Sequence, residues 1–203
     1  MHEATLAQPT QKLFSKLMAC SWLADFYLAG GTALALKRGH RTSVDLDFFT
    51  EKPFDEGKLI EDLMVIGKLE ILQKERQSVS GILDSVKFSF LGYPYPLLKP
   101  ATLFQGVLIA DIEDIACMKL DALANRGTKR DFIDLYCIAQ QLPLPDVIVL
   151  FQKKYASVHY NLLHIKKSLV YFDDAEEEPL PDMHVPIQWN EVKEFFKREA
   201  VKL

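Results

Sequence analysis

The stretch Gly30-Gly31-Thr32-Ala33-Leu34-Ala35-Leu36, followed by His40-Arg41-Thr42-Ser43-Val44-Asp45-Leu46-Asp47-Phe48-Phe49, decides how this chain is read. The apolar run Phe26-Tyr27-Leu28-Ala29 ahead of it reads as a core strand. Two glycines between a strand and a helix let backbone amides come close to a ligand, and the helix N-terminus adds the positive end of a dipole suited to phosphate. A Gly-Gly pair by itself makes a tight turn equally well. Thr32 is expected to cap a short helix running through Lys37, with Gly39 ending it.

Residues 43–49 alternate strictly, with Asp45 and Asp47 on one face and Val44, Leu46 and Phe48 on the other. Two carboxylates at i and i+2 on a strand have Cα atoms roughly 6–7 Å apart, close enough for both to reach one magnesium ion. Like charges so near each other need a cation between them or solvent around them. The apolar face predicts that the strand lies on a core. A solvated edge strand also carries acidic residues, but the Gly-Gly turn a dozen residues earlier favours metal binding.

Outward from this segment, residues 11–25 carry a helical period, and a helix is expected over residues 54–66. Strand-like stretches follow at 69–73, 79–83 and 86–91. Pro94, Pro96 and Pro100 predict irregular structure, and 107–110 a further short strand. Beyond Ile112 the period is helical, with helices expected over 112–125, 130–140, 145–156, 162–171 and 189–202. The acidic run Asp173-Asp174-Ala175-Glu176-Glu177-Glu178 reads as an exposed connection. The expected fold is α+β: a small mixed β-sheet with flanking helices over residues 1–110, then a helical region over 111–203 that completes a cleft.

With 203 residues, 49% of them hydrophobic and 26% charged, the chain can bury a core and has no signature of extensive disorder. A net charge of -4 argues against a large nucleic-acid-wrapping surface and leaves room for a local one, such as Lys37-Arg38-Gly39-His40-Arg41. Cys20, Cys117 and Cys137 sit apart among apolar neighbours and read as buried free thiols in a reducing compartment. No apolar run approaches the ~20 residues of a bilayer span, and the first thirty residues lack a secretory pattern. The expectation is a cytoplasmic protein without a membrane partner. The five histidines are dispersed, no cysteine pair has zinc spacing, and no serine or cysteine sits in a hydrolase nucleophile motif.

These motifs resemble the nucleotide-binding region of the AbiEii/AbiGii toxin family of nucleotidyltransferases, within the DNA-polymerase-β-like superfamily. The resemblance continues in Lys119-Leu120-Asp121-Ala122-Leu123-Ala124-Asn125-Arg126, in Lys129-Arg130-Asp131-Phe132-Ile133-Asp134-Leu135-Tyr136 and in Leu169-Val170-Tyr171-Phe172-Asp173-Asp174-Ala175-Glu176. It implies a magnesium-dependent enzyme, with manganese as a substitute, that moves a nucleoside monophosphate from a nucleoside triphosphate to an acceptor. It further implies glycines at the triphosphate (Gly30, Gly31), metal on Asp45 and Asp47, and a site completed by Lys119 and Asp131. Thr32, Arg41 and Ser43 are expected on the phosphate side, and His40 is a candidate there. Relatives of this kind act as toxins in toxin–antitoxin or phage-defence pairs, which points to a cognate antitoxin and to RNA, a transfer RNA end above all, as acceptor. The basic residues expected to meet that acceptor are Lys37, Arg38 and Arg41, joined by Lys129 and Arg130. A catalytically idle binding module, or transfer to a protein or small molecule, are the alternatives. A third metal-binding carboxylate often lies on a later strand in the wider superfamily; here Asp84 lies beside the 86–91 strand rather than within it.

The downstream motifs also have plain physical readings. Ile112, Ile115, Lys119, Leu123 and Arg126 share one helical stripe, so Lys119 either reaches a phosphate with its stem buried or snorkels to solvent. Thr128 and Asp131 form a capping-box pattern, so Asp131 also reads as a cap. Asp134 is expected to pair with Arg126, Lys129 or Arg130.

Overall fold

The structure, a computed structural model, describes residues 1–203 and divides into two compact units, Met1–Ala110 and Asp111–Leu203. The first is built on a seven-stranded sheet: β1 (Tyr27–Leu28), β2 (Leu46–Thr50), β3 (Leu69–Glu75), β4 (Ser78–Leu83), β5 (Val86–Gly92), β6 (Thr102–Phe104) and β7 (Val107–Ile109). Their spatial order is β3-β4-β5-β2-β1-β7-β6. The sheet is mixed: β2 runs parallel to β5 and antiparallel to β1, while β1 is parallel to β7. The hairpin β3-β4 and the pairs β4-β5 and β6-β7 are antiparallel.

Helices α1 (Gln8–Leu17) and α3 (Glu56–Ile66) pack on β5 and on β3-β4 respectively, and α2 (Gly30–Arg38) packs beside β2. Alternation along the central strands directs Leu46, Phe48, Phe88 and Phe90 into the core. There Phe48 and Phe90 stack with centroids 4.8 Å apart, and Phe26 meets Phe90 edge-on at 5.0 Å. This layer fixes β2, and with it the register of Asp47.

Several local expectations are corrected. The 11–25 segment breaks into α1 and a 3-10 turn, Ser21–Asp25. Helix α2 begins at Gly30 with Ala29 as its cap, so Thr32 lies inside the first turn. Gly39 does end it, with a left-handed φ of 70°. The strand starts at Leu46, which leaves Val44 outside it and 47% exposed rather than in the core. Irregular structure after the prolines gives way to β6, a strand whose composition carries no alternation.

The second unit is helical: α4 (Ile112–Asn125), α5 (Lys129–Ala139), α6 (Leu144–Lys154), α7 (Leu162–Ser168), α8 (Asp173–Glu176) and α9 (Trp189–Ala200). Helix α4 is packed by α5, α6 and α7, and α9 covers α5. The rings of Phe132, Phe172, Trp189 and Phe196 form its aromatic core. The acidic run forms the one-turn helix α8 rather than a simple connection. Its end is tied down: Glu176 accepts from Trp189 and Lys193, and Glu178 accepts from the Lys129 amide. No single helix is long and apolar enough to cross a membrane.

Candidate active site

The chain leaves β1 at Ala29, whose amide donates to the Asp47 carbonyl at 3.0 Å, and turns into α2 at Gly30. Gly30 has a φ of +67°, the left-handed region where a side chain is strained. A Cβ placed there would lie 3.2 Å from Asp47 Oδ2. The Asp47 carboxylate is therefore seated against the first turn of α2, whose leading amides have no partner within the helix. Gly31 has an ordinary φ.

Asp47 lies within β2, and Asp45 immediately before it; both are half-buried. Thr32 and Ser43 share a buried hydroxyl–hydroxyl bond of 2.7 Å, and Thr32 Oγ1 also donates to the Asp45 carbonyl. Those two residues hold the backbone that presents Asp45. Arg41 is buried and donates to the Thr42 carbonyl, and His40 is buried beside it. The cluster Lys37-Arg38-Gly39-His40-Arg41 is thus only in part a surface patch, with Lys37 and Arg38 half-buried.

Sequence reasoning missed Ser89. The parallel pairing of β2 with β5 sets it opposite Asp47, and its hydroxyl donates to Asp47 Oδ1 at 2.6 Å. A serine in a strand carries no local signal of such a role; only the register reveals it. Asp84, by contrast, sits in the β4-β5 hairpin turn with a φ of 48°. It pairs with Lys16 at 2.6 Å and accepts from the Lys68 amide at 2.9 Å. Its hydrogen bond to Lys16 holds the carboxyl below its ordinary value. No three His, Cys, Asp or Glu side chains gather into a cluster that could hold a metal. Asp45 and Asp47 offer hard carboxylate oxygens, the donors magnesium takes when it keeps waters and substrate phosphates in its remaining positions. The donor set fits that ion in this form.

In the helical unit, Lys119 is 5% exposed and lies between two carboxylates, 2.9 Å from Asp131 and 2.7 Å from Asp134. Asp131 also receives Arg126, through Nε at 2.8 Å and Nη2 at 3.1 Å, and the Thr128 hydroxyl at 2.7 Å. Thr128 caps α5 as its spacing predicts. Burial, the largest influence on Asp131, pushes its carboxyl up, but Lys119, Arg126 and Thr128 together outweigh it and hold the group well below the carboxylate range. Both oxygens of Asp131 are thus engaged by cations or a hydroxyl within the helical unit. Asp134 is reached by Lys119 from the neighbouring helix. Lys129 is buried as well: its ammonium donates to the carbonyls of Glu176 and Glu178 and lies 5.2 Å from the Trp189 ring centre. It is a structural cation, not a surface contact for an acceptor.

A family model described as nucleotidyl transferase AbiEii toxin, type IV TA system, matches residues 11–77 and 81–202. An uncharacterized protein of Aquifex aeolicus (strain VF5) is 40% identical over 201 residues, covering 96% of each chain. A crystal structure from H. pylori, assigned to the nucleotidyltransferases, superposes with a TM-score of 0.59 at 19% identity over 95% of this chain and 92% of that one. JHP933 from Helicobacter pylori gives 0.54 at 18% identity, covering 99% and 89%. At such identities these solved structures share the fold.

Proposed function

Because this chain belongs to the AbiEii family of nucleotidyl transferase toxins, we propose that it transfers a nucleoside monophosphate from a nucleoside triphosphate to an acceptor at Asp45 and Asp47. The observation that carries this reading is the seat of the Asp47 carboxylate against the first turn of α2. That turn offers amides and a positive dipole end to a triphosphate. A carboxylate and a phosphate drawn to the same place repel each other unless a cation lies between them. Asp45 and Asp47 would hold a magnesium ion, which when bound neutralises charge on the reacting phosphate and orients it. The amides of Gly30 and Gly31 would bind phosphate oxygens, and Thr32 and Ser43 would keep Asp45 in place. The acceptor hydroxyl oxygen forms a bond to the α-phosphorus, the bond from that phosphorus to the bridging oxygen breaks, and pyrophosphate leaves. The hydroxyl proton passes to water.

Lys119 and Asp131 enter this reading as a buried network that orders the helical unit and fixes Arg126. With its ammonium shared by two carboxylates, Lys119 would reach a triphosphate only by giving up one of them. The acceptor is read as RNA, a transfer RNA end, in keeping with a toxin-family enzyme. Lys37 and Arg38 in the last turn of α2 are the basic residues offered to it. The family's toxin–antitoxin description implies a cognate antitoxin.

The test is incubation of the pure protein with each labelled nucleoside triphosphate, magnesium and total RNA or cell extract. Label that ribonuclease releases supports the RNA acceptor; label that resists ribonuclease and yields to protease replaces it with a protein. No label in any fraction, with Asp47→Asn as the blank, would refute transfer itself.

A further inference from the structure

We propose that Ser89 is a positioning residue for Asp47, and that it stands where a second cation would need another carboxylate, so that the site works with one divalent ion. The inference rests on the assignment of Asp45 and Asp47 as cation ligands.

Three constraints act on the Asp47 side chain. Its backbone is fixed by strand pairing on both sides, to β1 and to β5, with Leu46 and Phe48 fully buried on either side of it in sequence. Its Oδ1 accepts a short, charge-assisted bond from Ser89 Oγ at 2.6 Å. Its Oδ2 lies on the Gly30 side, in the space a Cβ there would crowd. The first constraint sets where the carboxylate starts, and the second sets how it is rotated. Without the hydroxyl, the carboxylate keeps its place on the strand but loses the bond that orients Oδ1. The oxygen turned toward the α2 turn is then no longer assured.

The register supplies the second half of the inference. On β5 the residues sharing Ser89's face are Lys87 and Leu91, and across β4 the partner of Ser89 is Ser80. None of these is a carboxylate, and no third acidic or imidazole side chain joins Asp45 and Asp47. Two ions bring four positive charges against two carboxylates, and paired-ion sites hold each ion with ligands of its own besides shared ones. A hydroxyl that already donates its proton to Asp47 is at best a weak neutral ligand.

The experiment uses the full chain and manganese alone as the probe, with binding read by electron paramagnetic resonance. One tight Mn2+ per chain is expected, lost in Asp47→Asn. Hydrogen-bond partners of metal ligands typically contribute ~10–100-fold to affinity, so Ser89→Ala should weaken Mn2+ about tenfold while leaving the thermal transition nearly unmoved. Ser89→Thr, which keeps the hydroxyl and suits a strand, should restore it. Ser89→Asp should raise the affinity or admit a second ion. Equal Mn2+ affinity in wild type and Ser89→Ala overturns the positioning role while leaving Asp45 and Asp47 as ligands. Two tight ions in the wild type overturn the one-ion clause. Binding that survives Asp47→Asn removes the ligand assignment, and this inference with it.

Discussion

Replacing Gly30 by alanine separates two effects that meet at one Cα. The residue has a φ of +67°, and an added Cβ would lie 3.2 Å from Asp47 Oδ2. Holding an L-residue in the left-handed region costs roughly 1–2 kcal/mol. For a chain of this size each kcal/mol moves the melting temperature by about 2–4 °C, so Gly30→Ala should melt ~2–8 °C lower. The contact requires the carboxylate to retreat by a few tenths of an ångström. Misplacement on the scale of 1 Å in a reacting constellation costs about 100-fold, so transfer should fall by roughly 10–100-fold, well beyond what the lost stability explains at 25 °C. Gly31→Ala is the control. With an ordinary φ, it should hold or gain up to ~1 kcal/mol of stability. It should lose triphosphate affinity if phosphate approaches that amide. Calorimetric melting and nucleotidyl transfer measured on the same preparations decide the matter. Gly30→Ala transferring at the wild-type rate would show that the Asp47 carboxylate need not sit where this turn holds it.

Asp47→Asn keeps shape and an acceptor for Ser89, so it should fold normally and lose at least ~100-fold in transfer, the order of effect expected when an ion loses a charged ligand; a wild-type rate in magnesium refutes the assignment. Lys119→Ala leaves Asp131 and Asp134 buried with less compensation, and removing one partner of a buried pair costs about 3–5 kcal/mol. Urea unfolding should show this loss, and a change below ~1 kcal/mol would return Lys119 to a role at the surface. The Asp131 carboxyl is lowered from an ordinary value of 3.8, so its contribution to stability is full above that value and fades as pH falls below it toward the folded-state value. Asp131→Asn should therefore flatten the acid limb of the stability profile below about pH 4, and an unchanged limb counts against the ion network. Burial pushes the Cys117 thiol up to about 12, so iodoacetamide at neutral pH should spare Cys117 until the chain unfolds; rapid native-state labelling there, read by mass spectrometry, would contradict its burial.

Much was legible from residues 26–49 alone. A strand, a Gly-Gly turn, a helix closed by Gly39 and an Asp-x-Asp pair are all local, because turn chemistry and side-chain periodicity depend on neighbours a few residues away. The alternation in 79–83 and 86–91 likewise located β4 and β5, and the Thr128 cap announced the start of α5. Val44 shows where local pattern fails: an apolar residue in perfect alternation is exposed because pairing with β5 begins only at Leu46.

What the tertiary structure decided is which charges and hydroxyls are already spent on one another. Lys119 finds Asp131 and Asp134 on the neighbouring helix, Lys129 finds carbonyls nearly fifty residues away, and Asp84 finds Lys16. Ser89 meets Asp47 across a parallel pairing that spans 42 residues of chain. An ion pair or hydrogen bond is set by distances of 2.6–3 Å in space, and those distances follow from sheet register and helix packing rather than from spacing along the chain. The sequence therefore pointed to the kind of chemistry and to Asp45 and Asp47 as the carboxylates proposed to carry it. The fold alone determined which of the other polar residues hold the structure and which stand beside Asp47.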